Sequence, residues 1–176
     1  MAVIEPLSQV GEPVIRAKAQ PVAIPLTAES KKVIQDLIDT LHPAHLVGIA
    51  APQIGQGVRI FVTELRKTDF RDEGADPLRV FINPEILEYS KETDCYSEGC
   101  GSVCYSGLFG EVERPTSVTV RYYDENEVQH TQTFKGFIAR VIQHEFDHIE
   151  GTVFMDRLTS TRTLECAMVF KKKKAK

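Results

Sequence analysis

No stretch of this 176-residue chain approaches eighteen consecutive apolar residues, which excludes a membrane-spanning helix. The first residues lack the basic patch, apolar run and small-residue cleavage site of a secretory leader, and too few precede the first patterned residues to make a transit peptide. Internal repeats and low-complexity linkers are missing too, so residues 1–170 are expected to form one domain around one core. Cysteine is sparse: there are four, and Cys95, Cys100 and Cys104 fall within ten residues. That crowding suits a thiolate ligand in a reducing compartment better than a disulfide framework, and cytoplasm is the expected location.

Basic charge is thin except at one end. Lys171 to Lys174 and Lys176 supply five of the 21 basic residues, so residues 1–170 hold sixteen against 25 acidic ones, a formal balance of −9. An acidic body with a basic tail at 171–176 predicts either a solvated end or an electrostatic contact with an anionic partner such as ribosomal RNA. Neither DNA nor a membrane is an expected partner.

What is present is chemical. His144-Glu145-Phe146-Asp147-His148 puts two histidines four residues apart, on one side of a helix, where they can grip one metal ion. Glu145, about a third of a turn round, is placed to take a proton from a metal-polarised water, as in a hydrolytic site. Phe137, Ile138, Val141, Ile142, Glu145 and Ile149 recur at helical spacing and predict a helix from about Lys135 to Glu150, with Gly151 as its stop.

Two histidines leave zinc or iron short of a protein ligand. The metzincin pattern HExxHxxGxxH fails, because Phe154 occupies the last histidine position. A thermolysin-like site would recruit Glu165. A cysteine from the cluster at 95–104 would complete a Cys-His-His site instead. A structural zinc module using Cys100, Cys104, His144 and His148 is the non-enzymatic alternative, although 39 residues part its two ligand pairs and Glu145 would have no role in it.

Three segments in order decide among these. Gly48-Ile49-Ala50-Ala51-Pro52-Gln53, Glu98-Gly99-Cys100-Gly101-Ser102 and Gln143-His144-Glu145-Phe146-Asp147-His148 resemble the three signature motifs of the peptide deformylase family, and Gly11-Glu12-Pro13-Val14-Ile15-Arg16 resembles the start of its N-terminal region. The resemblance runs from about residue 8 to residue 158. It implies a metal-dependent hydrolase that removes the formyl group from formyl-methionine at the start of nascent chains and releases formate. Cys100, His144 and His148 are then the metal ligands, with ferrous iron as the working ion and nickel or zinc as replacements. Glu145 is the implied proton carrier. Gln53 and the backbone N–H of Gly101 are the implied donors to the carbonyl oxygen. Gly48 and Ile49 are expected to bind substrate, and Phe137 and Val141 to line an apolar pocket for methionine.

Two positions depart from the family pattern. Leu46 stands where the first glycine of GxG is found, and Gly101 where leucine commonly follows the ligand cysteine. The first is expected to crowd the cleft and the second to widen it. The scaffold is expected to be α+β, with small antiparallel or mixed sheets packed around the central helix that carries HExxH. Thr27 to Leu41 is predicted as a helix ended by His42-Pro43. Val58 to Thr63, Arg79 to Ile82, Val118 to Tyr123 and Val128 to Phe134 are predicted as strands, the last two joined at Asp124–Glu127, and Thr68 to Pro77 as an exposed loop.

Overall fold

The structure is a computed structural model that describes residues 7–66 and 75–168; the lysine tail and most of the charged stretch from Thr68 lie outside them. Two tripeptides set the architecture, Ile60-Phe61-Val62 and Val80-Phe81-Ile82. Successive side chains of a strand point to opposite faces, so a run that is apolar at every position belongs in a sheet covered on both sides. Phe61 and Phe81 stack at 4.6 Å on one face, against Tyr122, Phe134, Ala139 and Ile142. Ile60, Val62, Val80 and Ile82 face the other way, onto Leu37 and Leu41.

The strands that do this are β1 (Gly48–Ala50), β2 (Ile60–Leu65), β3 (Asp76–Tyr89), β6 (Ser117–Tyr123) and β7 (Gln129–Lys135), in the order β1-β2-β3-β6-β7 with every ladder antiparallel. Helix α2 (Ala28–Leu41) covers one face and helix α3 (Phe137–Ile149) the other. The short helix α1 (Pro13–Arg16) was not foreseen from the sequence; four residues show no periodicity to read. The side chain of Thr27 caps α2 by accepting from Ser30 N at 3.2 Å. Strand β3 is far longer than the stretch Arg79–Ile82 read from sequence. Asn83, with φ of 49°, and Pro84 look like a turn, but the sheet absorbs them as an irregularity between Ile82 and Glu85.

A second sheet is built of β4 (Thr93–Gly99), β5 (Leu108–Pro115) and β8 (Glu165–Cys166), ordered β4-β5-β8, strands that the sequence pattern does not mark individually. It is also antiparallel, so among the described residues neither sheet is mixed; the parallel pairing seen is an isolated bridge between Gln20 and Val58. Against β5 lies a third apolar cluster of Ile15, Val103, Val112, Val153 and Phe154, and Cys100 is part of it.

Helix α3 runs where its periodicity predicts, bounded by Gly136 (φ 68°) and Gly151 (φ 75°). The second glycine has a double reason. Its left-handed backbone ends the helix, and a Cβ there would sit 2.5 Å from the carbonyl oxygen of Arg16. No helix among the described residues is long and apolar enough to cross a membrane.

Candidate metal centre

The site forms where the end of β4 meets the middle of α3. Strand β4 stops at Gly99, and the chain turns inward so that the Cys100 side chain enters the third cluster, 3% exposed. His144 and His148 project from α3 with ring centroids 5.1 Å apart. Cys100 Sγ lies 3.2 Å from His148 Nε2, and one donor atom from each of the three residues falls within 4.8 Å of the others. Ligand atoms bound tetrahedrally to one ion at typical Zn–N and Zn–S lengths sit about 3.5 Å apart, close to the Cys100–His148 separation, so the three are placed to close on a single transition-metal ion. This is the sole such group of His, Cys, Asp and Glu among the described residues.

The electrostatics favour that use. Burial opposes ionisation of Cys100, yet the charge of His148 and hydrogen bonds with His144 and His148 outweigh it and hold the thiol well below its ordinary value. Burial likewise opposes charging His144, but Cys100 and Glu98 outweigh it and hold that imidazole well above its usual value. A thiolate facing imidazoles is the donor set that a divalent cation replaces protons on.

Behind these three side chains stands a buried ionic network to which the sequence alone assigns no role. Glu98 Oε2 lies 3.0 Å from His144 Nδ1, fixing one ring nitrogen and leaving the other for the ligand side. Arg114 donates to both oxygens of Glu98, at 2.7 and 3.0 Å, and to Asp147 at 2.8 Å. Arg140 donates to Glu98 at 2.6 Å and to the carbonyl of Val112, and Arg157 donates to Asp147 at 2.9 Å. Burial alone would raise the Glu98 pKa. The bonds with His144 and Arg114 overcome that and hold it far below the carboxylate range. Their positions inside EGCGS and HEFDH were the available signal for Glu98 and Asp147; Arg114 had none.

Glu145 sits on the other side of the histidines, 3% exposed, and its Oε2 is buried without a hydrogen-bond partner among the described residues. Burial pushes its pKa up to about 7, against the pull of His144 and His148. A cation at the ligand atoms would draw the value down again. Gly48 explains itself here. A Cβ on that residue would lie 2.5 Å from Glu145 Oε1 and within 2.9 Å of its Cγ and Cδ, so a side chain at 48 and the carboxylate compete for one space. Gly48→Ala is therefore expected to keep metal and fold but lower kcat about a hundredfold, the scale of an ångström's misplacement. Wild-type turnover by the metal-loaded variant would refute that packing argument.

Gln53, on the turn Ala51–Ile54 after β1, is 2% exposed. Its Oε1 accepts from Ala50 N at 2.8 Å, which aims Nε2 at Ser102 Oγ (3.3 Å) and Cys100 Sγ (3.7 Å). Sequence thus placed Gln53 beside the ligands, and Ser102 was missed. The Ile49 side chain packs in the core with Leu37 and Val62, so what it offers a substrate is main chain. Val141 is buried and Phe137 half-buried, on the helical turns preceding His144. Two alternatives receive no support. Cys104 is exposed, in a left-handed backbone conformation, and Glu165 belongs to β8; neither joins the three-residue group.

A cysteine from the end of β4 facing the two histidines of an HExxH helix, with a buried carboxylate beside them, defines a metal-dependent hydrolase on an α+β scaffold. The family model described as polypeptide deformylase matches residues 4–163. A curated relative named peptide deformylase, from Christiangramia forsetii, is 38% identical over 167 residues, covering 90% of this chain and 84% of the relative. Another of that name, from Pseudothermotoga lettingae, is 39% identical over 159 residues, covering 90% and 85%. Among solved structures, the Met-Ala-Ser-bound class I type b peptide deformylase from Acinetobacter baumannii superposes with a TM-score of 0.83 at 32% identity, over 90% of this chain and all of that one. The chain belongs to the polypeptide deformylase family.

Proposed function

We propose that residues 1–170 act as one catalytic unit that hydrolyses the formyl amide of N-formylmethionyl peptides, with Cys100, His144 and His148 as metal ligands and Glu145 as proton carrier. One observation carries the reading: three metal-binding donors within 4.8 Å of one another, next to the unpartnered carboxyl oxygen of Glu145. When bound, a divalent cation supplies Lewis-acid chemistry, polarising a carbonyl and bringing the pKa of water towards neutrality. Glu145 accepts the proton of the attacking water and passes it to the departing amine. Gln53 Nε2 and the Gly101 N–H donate to the carbonyl oxygen as it gains charge. Formate and a free amino terminus are the products.

Around that centre, Phe137 and Val141 form the apolar side that receives methionine, and the main chain at Gly48 and Ile49 offers the edge of a sheet to an extended peptide. The Acinetobacter baumannii structure, which holds a peptide beginning with methionine, supports the substrate class. Ferrous iron is the metal we assign, with zinc or nickel as substitutes, since a thiolate and two imidazoles accept all three. Free cysteines favour work in the cytoplasm, and the lysine end favours a salt-sensitive contact of residues 171–176 with the ribosome.

The test is metal content beside formate release from a formylmethionyl peptide, on protein prepared without oxygen. Cys100→Ser, His144→Ala and His148→Ala should each lose most of the metal and the activity, whereas Cys104→Ser should keep both. Stoichiometric metal in the Cys100 variant, or its loss from the Cys104 variant, would overturn the ligand set.

A further inference from the structure

Leu46 is near both walls of the site, one along the chain and one through space. It lies two residues before Gly48, whose Cα faces the Glu145 carboxylate, and its two Cδ atoms come within 3.8 and 3.9 Å of the place a Cβ on Gly101 would occupy. Gly101 directly follows the ligand Cys100. Leu7 approaches the same spot from the other side, its Cδ1 at 2.5 Å from that Cβ position. Gly101 is not among the residues with positive φ, so glycine there is demanded by space rather than by backbone conformation. The volume above it belongs to Leu46 and Leu7.

The Gly101 side of this contact cannot draw back. Gln9 Nε2 donates to the Gly101 carbonyl at 2.9 Å, Val10 N to the Ser102 carbonyl at 2.8 Å, and Ser8 N to the Gln53 carbonyl at 2.8 Å. Gln9 Oε1 also accepts from Tyr105 N, within three successive residues, Cys104 to Ser106, that all hold left-handed φ values. The segment 7–10 thus pins both the turn that carries Gln53 and the loop that follows Cys100.

A substrate chain has one way to pass. Strand β1 is the edge of its sheet, and towards its end it runs into Ala50 and Ala51, fully buried. A peptide leaving the Glu145 carboxylate along this edge must therefore run the other way, past Gly48 towards Leu46. Extended chains advance about 3.3 Å per residue, so the two residues from Gly48 to Leu46 match the two steps from the formyl group, across methionine, to the residue after it. We propose that Leu46, backed by Leu7 over Gly101, is a specificity-determining residue that restricts the substrate residue following formyl-methionine to small side chains. This rests on the deformylase reading above.

The experiment measures kcat/KM for formate release from formyl-Met-Ala-Ser and formyl-Met-Phe-Ser by the metal-loaded enzyme. The Phe-to-Ala ratio should rise about tenfold in Leu46→Ala and fall in Leu46→Phe, because a few methylenes in an apolar contact change discrimination by that order. Opposite shifts from the two variants distinguish a wall from mere core packing, which would lower both substrates together. Leu46→Phe keeps an apolar side chain beside Gly101 and against the core, so the question is answered even where the alanine variant folds poorly. A ratio unmoved in the folded variants, with formate released from both peptides, overturns the wall and leaves the deformylase standing. No formate from either peptide with the unaltered enzyme overturns both.

Discussion

Glu145→Gln is expected to retain its metal and its fold while formate release from a formylmethionyl peptide falls by at least about a hundredfold, the usual scale for removing a general acid or base. Glutamine matches the shape of the buried carboxyl group and fits the same slot against Gly48, so packing is preserved. What it cannot do is carry a proton from water to the leaving amine. Metal content and thermal unfolding should therefore follow the unaltered protein, and kcat should collapse alone. A Glu145→Gln enzyme with more than a tenth of normal kcat would remove Glu145 from the role assigned to it.

Arg114→Ala should be the most destabilising of the substitutions considered. The side chain is 5% exposed and bridges Glu98 and Asp147, each 7% exposed; Glu98 would keep Arg140 and Asp147 would keep Arg157, but deleting the buried guanidinium that joins them leaves both carboxylates short of positive charge at a cost of about 3–5 kcal/mol. Arg157→Ala is the matched control. Arg157 also binds Asp147, but it is 52% exposed, and the loss should stay within about 1 kcal/mol. Urea midpoints with unchanged slopes would measure both, and near-equal values would show that burial is not what matters. The network also predicts an acid limit. Because Glu98 is held below its unfolded value, its contribution to stability is complete above about pH 4.3 and is lost as pH falls towards its folded pKa.

The sequence and the structure agree best where local pattern and tertiary environment demand the same thing. Helix α3 was readable because its apolar positions repeat at 3.6 residues between two glycines, and both glycines prove to hold positive φ. The hairpin of β6 and β7 was readable because both strands end at a polar turn. Strands β4 and β5 hid for the opposite reason. Thr93–Gly99 has few apolar residues, and the inward positions of β5 are Gly110, Val112 and Arg114, an alternation disguised by a glycine and a charge. Among three crowded cysteines the residues alone could not choose a ligand; resemblance chose Cys100, and its burial separates it from exposed Cys95 and Cys104. The Glu98–His144 contact joins residues 46 apart and lies beyond any periodicity.

The segment at Leu7–Val10 also fixes when the site can come into being. Its contact with Gly101 spans 92 residues and cannot close during synthesis until residue 101 has left the ribosome, while that of Cys100 with His148 spans 48 and waits for α3. Until then the Cys100 thiol, destined for burial, stands open to oxidants and to stray metal ions. The interval between making residue 100 and docking residue 148 is the period in which this protein is most easily spoiled. Refolding yield should accordingly depend on reductant and on the metal supplied during that step far more than the finished enzyme's half-life does.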